Sequence, residues 1–282
     1  MPQGAKGKLI RRGYELLNNT CETLGPGAKD PSKAYAGNGL ACRSCHQFVG
    51  VKPYGLPWVG VANRYPRYHS RSGRDITLTD RINGCFERSM NGKPLPPDSE
   101  EMKAMLAYMQ WLTDGFPKKI VGTGSTGIEV PDRAVDLKQG EAVYTVACQS
   151  CHGPDGKGYR PLSVGEQGAY AVPPVWGPDS YNTGAGMHRV LSAAGFIRSN
   201  MPLGTPWNRP FLTDEQAFDV AGYINSKPRP QKADTDKDWP NKAEKPVDCP
   251  YPPYADGFSQ KQHKYGPFPP IIKAKAQQQK KK

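Results

Sequence analysis

Twice along 282 residues, two cysteines separated by two positions are followed at once by a histidine: Cys42-Arg43-Ser44-Cys45-His46 and Cys148-Gln149-Ser150-Cys151-His152. No other feature restricts the fold of this chain so strongly. The spacing brings two thiols onto one turn, in reach of the two vinyl groups of a porphyrin, and aims the next histidine at its iron. Zinc knuckles and redox dithiols also use paired cysteines, but neither requires a histidine directly after each pair. Two covalently bound haem c groups are therefore expected. Cys42, Cys45, Cys148 and Cys151 would attach them, with His46 and His152 as proximal iron ligands.

Composition fits that expectation. Hydrophobic residues are only 37%, while Gly (31) and Pro (29) are abundant. Short helices joined by long, ordered, irregular loops follow, and a porphyrin can supply the core that each half otherwise lacks. No apolar run approaches the roughly 20 residues of a membrane-spanning helix. The net charge of +12 is unevenly spread. Residues 51–93 hold 8 Lys/Arg against 3 Asp/Glu, and residues 227–282 hold 13 against 6, whereas residues 135–226 hold 6 against 8. The first half is thus prepared for an anion. Basic charge alone would also suit nucleic acid, but no nucleic-acid-binding motif accompanies it.

The chain reads as a degenerate repeat. A helix over 6–19, with Leu9, Ile10, Tyr14, Leu16 and Leu17 apolar, precedes the first motif, and a helix over 136–148 precedes the second, with Leu137, Ala142, Val143 and Val146 turned inward. Each motif is followed by a Gly/Pro-rich region and a closing helix. The first closing helix spans 99–112 behind an N-capping Ser99, and the second spans 213–225 behind Thr213. Helix, attachment motif, loop and helix is the plan of a small class I cytochrome c. The predicted architecture is mostly α, with one such domain over 1–120, a flexible linker over 121–134, a second domain over 135–226 and an extended arm over 227–282. The arm carries ten prolines and no helical period. Its aromatic residues (Trp239, Tyr251, Tyr254, Phe258, Tyr265, Phe268) favour an arm strapped over the domains, and its last residues, 277–282, are expected to fray.

The distal iron ligands must come from outside the motifs. In the second half Met201 stands before the closing helix, followed by Pro202, where class I cytochromes carry their distal methionine; Met187, His188 and Asn200 are its rivals. In the first half Met90 is one candidate and Cys85 another, both in the stretch read as a loop before the closing helix. A thiolate at that position would lower the potential and leave a nucleophilic sulfur beside a redox metal.

The run Asp80-Arg81-Ile82-Asn83-Gly84-Cys85-Phe86-Glu87-Arg88-Ser89-Met90-Asn91-Gly92-Lys93 resembles the first-haem segment of thiosulfate dehydrogenases of the TsdA type. So do Ala36-Gly37-Asn38-Gly39-Leu40 and, in the arm, Gln262-His263-Lys264-Tyr265-Gly266-Pro267-Phe268. The resemblance implies reversible oxidation of two thiosulfates to tetrathionate with release of two electrons. It implies a first haem bound by His46 and Cys85 as the active site, and a second bound by His152 and Met201 as the electron exit. It also points to Arg71, Arg81 and Ser89 as anion-binding neighbours of Cys85. Where some members place lysine beside the methionine, this chain has Asn200. Arg64, Arg67, Arg74 and Arg88 read as surface charges or haem-propionate partners.

Thiosulfate and tetrathionate are dianions, and the Cys85 region is the basic one. Arginine offers permanently charged, forked donors for sulfonate oxygens. A plain electron carrier, or a SoxA-like subunit acting on a protein thiol, is the competing reading, and a carrier would need no cysteine at the distal position. The external acceptor or donor is expected to be a small cytochrome c or a high-potential iron–sulfur protein. Thioether attachment takes place outside the bacterial cytoplasm, so a periplasmic protein is expected, its leader absent from this sequence. In that oxidising compartment the two remaining cysteines, Cys21 and Cys249, are expected to pair and tie the arm to the N-terminal helix.

Overall fold

The computed structural model describes residues 1–117, 122, 124–165 and 167–280. Helix α1 (Gly4–Asn18) crosses α3 (Glu100–Trp111), and helix α4 (Leu137–Ala147) crosses α6 (Asp214–Ser226), so the same helix pair is built twice. A glycine makes each crossing possible. A Cβ on Gly13 would lie 2.0 Å from the Ala104 carbonyl oxygen and 2.9 Å from Tyr108 Cβ, and one on Gly140 would lie 2.2 Å from the Asp219 carbonyl oxygen and 2.8 Å from Tyr223 Cβ. The backbones touch there, with an aromatic ring closing each contact.

The two anticipated caps, Ser99 and Thr213, are present, and Asp136 adds a third that was not anticipated. Ser99 accepts from Met102 N, Asp136 from Lys138 N and Gln139 N, and Thr213 closes a capping box with Gln216. One expectation about α4 needs correcting. It turns Gly140 and Tyr144 inward rather than Leu137, Ala142 and Val146; Val146 is 83% exposed. The need for a glycine at the crossing sets the helix's rotation, which hydrophobicity alone did not show.

Two cores result. Ile10, Leu16, Leu17, Phe86, Met102 and Met105 anchor the first; Tyr144, Ala194, Phe218, Val220 and Phe268 anchor the second. Between the first motif and α3 lie a hairpin, β1 (Arg67–His69) with β2 (Arg74–Ile76), and helix α2 (Leu78–Arg88). Cys85 therefore sits on a helix, not in the loop read from the sequence. Thr77 and Asp80 form its capping box, and this holds the helix despite Asn83-Gly84 in its middle. Helix α5 (Val190–Asn200) occupies the matching place in the second half and ends at Met201.

Residues 118–121 and 123 lie outside the described residues, and with them the domain boundary read after residue 120 and the start of the linker. The rest of its glycine-rich part is not free. Tyr54 N donates to Gly122 O, Leu56 N to Gly124 O, and Thr126 N to Ser199 Oγ. The arm straps over both halves and then becomes helical, in α7 (Gln260–Tyr265) and α8 (Pro269–Lys280), where the sequence showed no period. The expected fraying thus falls largely on a helical turn, while residues 281–282 lie outside the described residues. Phe268 and Ile271 from this end are fully buried in the second core.

The expected Cys21–Cys249 disulfide does not form, and both thiols are free and buried. Cys21 Sγ lies 3.3 Å from the Gln167 carbonyl oxygen, whereas Cys249 packs within the arm, 3.8 Å from the Tyr251 carbonyl oxygen. Each sulfur is satisfied locally, and the arm is held by ion pairs and aromatic packing instead. Among the described residues no helix is long and apolar enough to cross a membrane.

Candidate functional site

Each attachment motif opens onto a cavity. The first, about 270 Å³, is walled by Leu17, Leu40, Trp58, Ile82, Phe86 and Met109, and gathers Cys42, Cys45, His46, Arg81, Cys85, Ser89 and Met90 at its surface. The second, about 510 Å³, gathers Cys148, Cys151, His152, Met201 and Pro202 among Val175, Phe196, Ile197 and Ile224. His46 Nδ1 lies 2.5 Å from the Leu56 carbonyl oxygen and His152 Nδ1 lies 2.8 Å from that of Pro173. A carbonyl only accepts, so both Nδ1 atoms carry the proton and both Nε2 atoms keep a lone pair for a metal. Burial lowers the His152 pKa further, favouring the neutral ring that can ligate. Paired thiols, a pre-oriented imidazole and apolar walls fit a covalently held haem in each cavity.

Of the rival distal ligands, Met201 lines the second cavity. His188 is buried elsewhere, facing the Thr183 carbonyl oxygen at 3.0 Å, and Asn200 spends its amide nitrogen on the Tyr54 and Phe196 carbonyl oxygens. Cys85 and Met90 both line the first cavity. They differ in electrostatics. Arg81 Nη1 is 3.0 Å from Cys85 Sγ, one helical turn away on α2. Burial pushes the Cys85 thiol up, but the Arg81 guanidinium leads the effects that oppose it, and the pKa comes down to about 6. Cys85 is therefore a thiolate at neutral pH, and its charge in turn raises the Arg81 pKa.

Ser89, four residues beyond Cys85, lines the same cavity, as do Arg64 and Arg67. Arg71 does not. Its guanidinium donates to the Gly184 carbonyl oxygen at 3.0 Å and lies over the Trp239 ring. Two further residues escaped the sequence reading. Tyr65 lines the cavity and stands close enough to Arg81 to help raise its pKa. His69 shares the face of β1 with Arg67, and burial, then Arg71, Arg81, Arg67 and Arg88, bring its pKa down to about 4. So many cations near one sulfur give this end of the cavity a positive potential suited to an anion. The alternation Arg67-Tyr68-His69 was the available signal, but a three-residue strand is too short to stand out.

The two cavities share a wall. Arg43 and Ser44, inside the first attachment motif, and Gln47, Phe48 and Val49 just after it, line the second cavity.

Residues 27–117 match the family model described as SoxA/TsdA, cytochrome c domain, and residues 137–228 match the model described as cytochrome c. Two such domains in tandem, each with its motif and cavity, make the protein a dihaem c-type cytochrome, carrying two covalently bound haems. It is 44% identical over 238 residues to thiosulfate dehydrogenase of Allochromatium vinosum, with 82% of each chain covered. It is 39% identical over 243 residues to thiosulfate dehydrogenase of Psychrobacter arcticus, with 86% of this chain and 69% of that one covered. The solved structure of thiosulfate dehydrogenase (TsdBA) from Marichromatium purpuratum superposes with a TM-score of 0.74 at 35% identity, over 83% of this chain; the chain spans 49% of that longer one. The chain belongs to the thiosulfate dehydrogenase family.

Proposed function

We propose that the protein joins two thiosulfates into tetrathionate, and can run the reaction in reverse, with His46 and Cys85 holding the iron of the first haem and His152 and Met201 that of the second. The observation that carries this reading is the Cys85 sulfur, held 3.0 Å from Arg81 in the cavity that also contains His46. When bound, the haems supply one-electron acceptors for the electron pair that the coupling releases.

The protein's own part is to bring sulfur to sulfur. Cys85 thiolate and the outer sulfur of one thiosulfate form an S–S bond, giving a Cys85 S-thiosulfonate as two electrons leave. The second thiosulfate attacks the thiosulfate-derived sulfur of that adduct, breaks its bond to Cys85, and departs as tetrathionate while the thiolate is regenerated. Two thiosulfate dianions give one tetrathionate dianion and two electrons. Arg81 and Ser89 face the reacting sulfur and are suited to hold the sulfonate oxygens. Arg71, turned away onto Trp239, adds positive potential from behind. The repulsion between two dianions, which opposes their approach in water, is offset in this way.

Electrons would leave from the second cavity to a small cytochrome c or a high-potential iron–sulfur protein, and haem attachment would place the protein in the periplasm. A pure carrier accounts less well for a half-buried cysteine sulfur beside convergent arginines. The deciding assay is tetrathionate formation from thiosulfate with an artificial electron acceptor. Turnover at 2:1 stoichiometry is expected, and reduction of the haems by other donors without any tetrathionate would make the protein a carrier. A second expected outcome concerns the exit. Met201→Gly should alter the spectrum of one haem only and slow electron delivery to the acceptor, with thiosulfate binding unchanged. Unaltered spectra would assign the iron to another residue.

A further inference from the structure

Helix α2 carries Arg81 and Cys85 and ends at Ser89, yet its C-terminal end is held by parts of the chain 95 and 150 residues away. Asn182 caps it: the Asn182 amide N donates to the Arg88 carbonyl oxygen at 3.1 Å and its side-chain nitrogen to that of Glu87 at 2.9 Å. Asn182 is itself buried, so these bonds are shielded from water. From the arm, Asp238 takes Arg88 in a two-pronged ion pair at 2.8 and 2.7 Å. Tyr251 donates its hydroxyl to the same carboxylate at 2.7 Å. Arg88 and Arg71 converge on the Gly184 carbonyl oxygen at 3.2 and 3.0 Å. Trp239 N donates to the Arg71 carbonyl oxygen at 2.8 Å.

The arm's grip is rigid for a reason of its own. Lys245 is buried with its ammonium among the rings of Trp239, Tyr251 and Tyr254, 4.8–5.6 Å from their centroids, and donates to the Pro253 carbonyl oxygen at 3.0 Å. A cation so caged orders a proline-rich segment that has little apolar core to fold around.

Arg88 lies three residues beyond Cys85, so the two are neighbours on the helix surface and move as one body. We propose that Asp238, with Tyr251 behind it and Asn182 beside it, is a positioning device for Cys85: it sets how often the thiolate leaves the iron of the first haem and becomes free to react. The proposal rests on the reading that Cys85 ligates that iron. In this account the arm is a spring on the active-site helix. Loosening it favours the released thiolate and tightening it favours the resting, six-coordinate state.

The test uses intact, haem-loaded enzyme as purified. The rate at which iodoacetamide alkylates Cys85, followed by peptide mass, reports how often the thiolate is off the iron, and the optical and electron paramagnetic spectra report the ligation of each haem. Asp238→Asn keeps the shape but removes the charge. It is expected to raise the Cys85 alkylation rate about tenfold, the scale of a lost charge-assisted hydrogen bond, and to convert part of the first haem's low-spin thiolate signal. Haem content and the second haem's spectrum should stay unchanged. Tyr251→Phe, which leaves the ion pair in place, should act in the same direction by a smaller factor, so the proposal can be read even if Asp238→Asn folds poorly. Wild-type alkylation rates and spectra in both variants would overturn the device. A wild-type enzyme with no thiolate signal at the first haem, and with Cys85 alkylated as fast as a free thiol, would instead overturn the ligation on which it rests.

Discussion

Cys85→Gly and Cys85→Met are both expected to lose tetrathionate formation by about 10³-fold or more, the scale at which removing a nucleophile is felt. The pair separates two roles of one sulfur. Glycine removes both the iron ligand and the nucleophile, whereas methionine restores a sixth ligand of soft sulfur but has no thiolate to form an S–S bond. If the cysteine served only to set the potential, the methionine variant would turn over near the wild-type rate with a shifted spectrum. If it attacks, both variants fail while haem content and helix content persist. Steady-state kinetics with an artificial acceptor, read beside the spectra of each variant, make the distinction. Wild-type turnover in Cys85→Met would rule out the covalent route. The position of Arg81 adds weight to attack, because a guanidinium 3.0 Å from the sulfur keeps it ionised once it is off the metal.

The second large effect is on stability. At Gly13 and Gly140 the facing carbonyl oxygens leave no room even for a methyl group, at 2.0 and 2.2 Å from an added Cβ. Valine at either place must push two helices apart along with the core between them. Overpacking of this kind costs about 1–3 kcal/mol, or more where backbone faces backbone. For domains of this size each kcal/mol lowers Tm by several degrees, about 4–8 °C. The two sites lie in different cores, so calorimetry should show Gly13→Val weakening the first half and Gly140→Val the second, with additive effects in the double variant. A Tm within about a degree of wild type for either single variant would mean that the helices do not meet as closely as described.

How much of this was legible beforehand depended on how local the cause was. The attachment motifs and the capping residues Ser99 and Thr213 rest on contacts within a few residues, and the paired helices each carry their own periodicity, so these could be read directly. Cys85 was singled out by its chemistry but put in a loop, because a distal ligand is expected in the loop before the closing helix; the capping box from Thr77 to Asp80 was the contrary signal and was passed over. The inward face of α4 was misjudged because glycine counts for little in a hydrophobic pattern, yet here Gly140 decides which side faces the partner helix. The helical end of the arm was invisible for a different reason. Phe268 and Ile271 are buried by residues from α6 and its surroundings, over forty positions earlier, and their own neighbourhood carries three prolines and several lysines. The absent disulfide shows the limit of counting: two leftover cysteines say nothing about whether their surroundings meet.

The wall shared by the two cavities has a consequence for how the proposed reaction would pass its electrons on. Arg43, Ser44, Gln47, Phe48 and Val49 belong to the first half by sequence and to the second cavity by position. In the proposed reaction, charge passing between the halves would cross this wall, whose residues are already in place, so no domain would have to swing and no collision would have to occur. Friction from the surrounding liquid should then leave the internal crossing untouched and be felt only where outside molecules arrive or depart. A thickened medium would slow delivery to the acceptor while the traffic inside the protein keeps its own time.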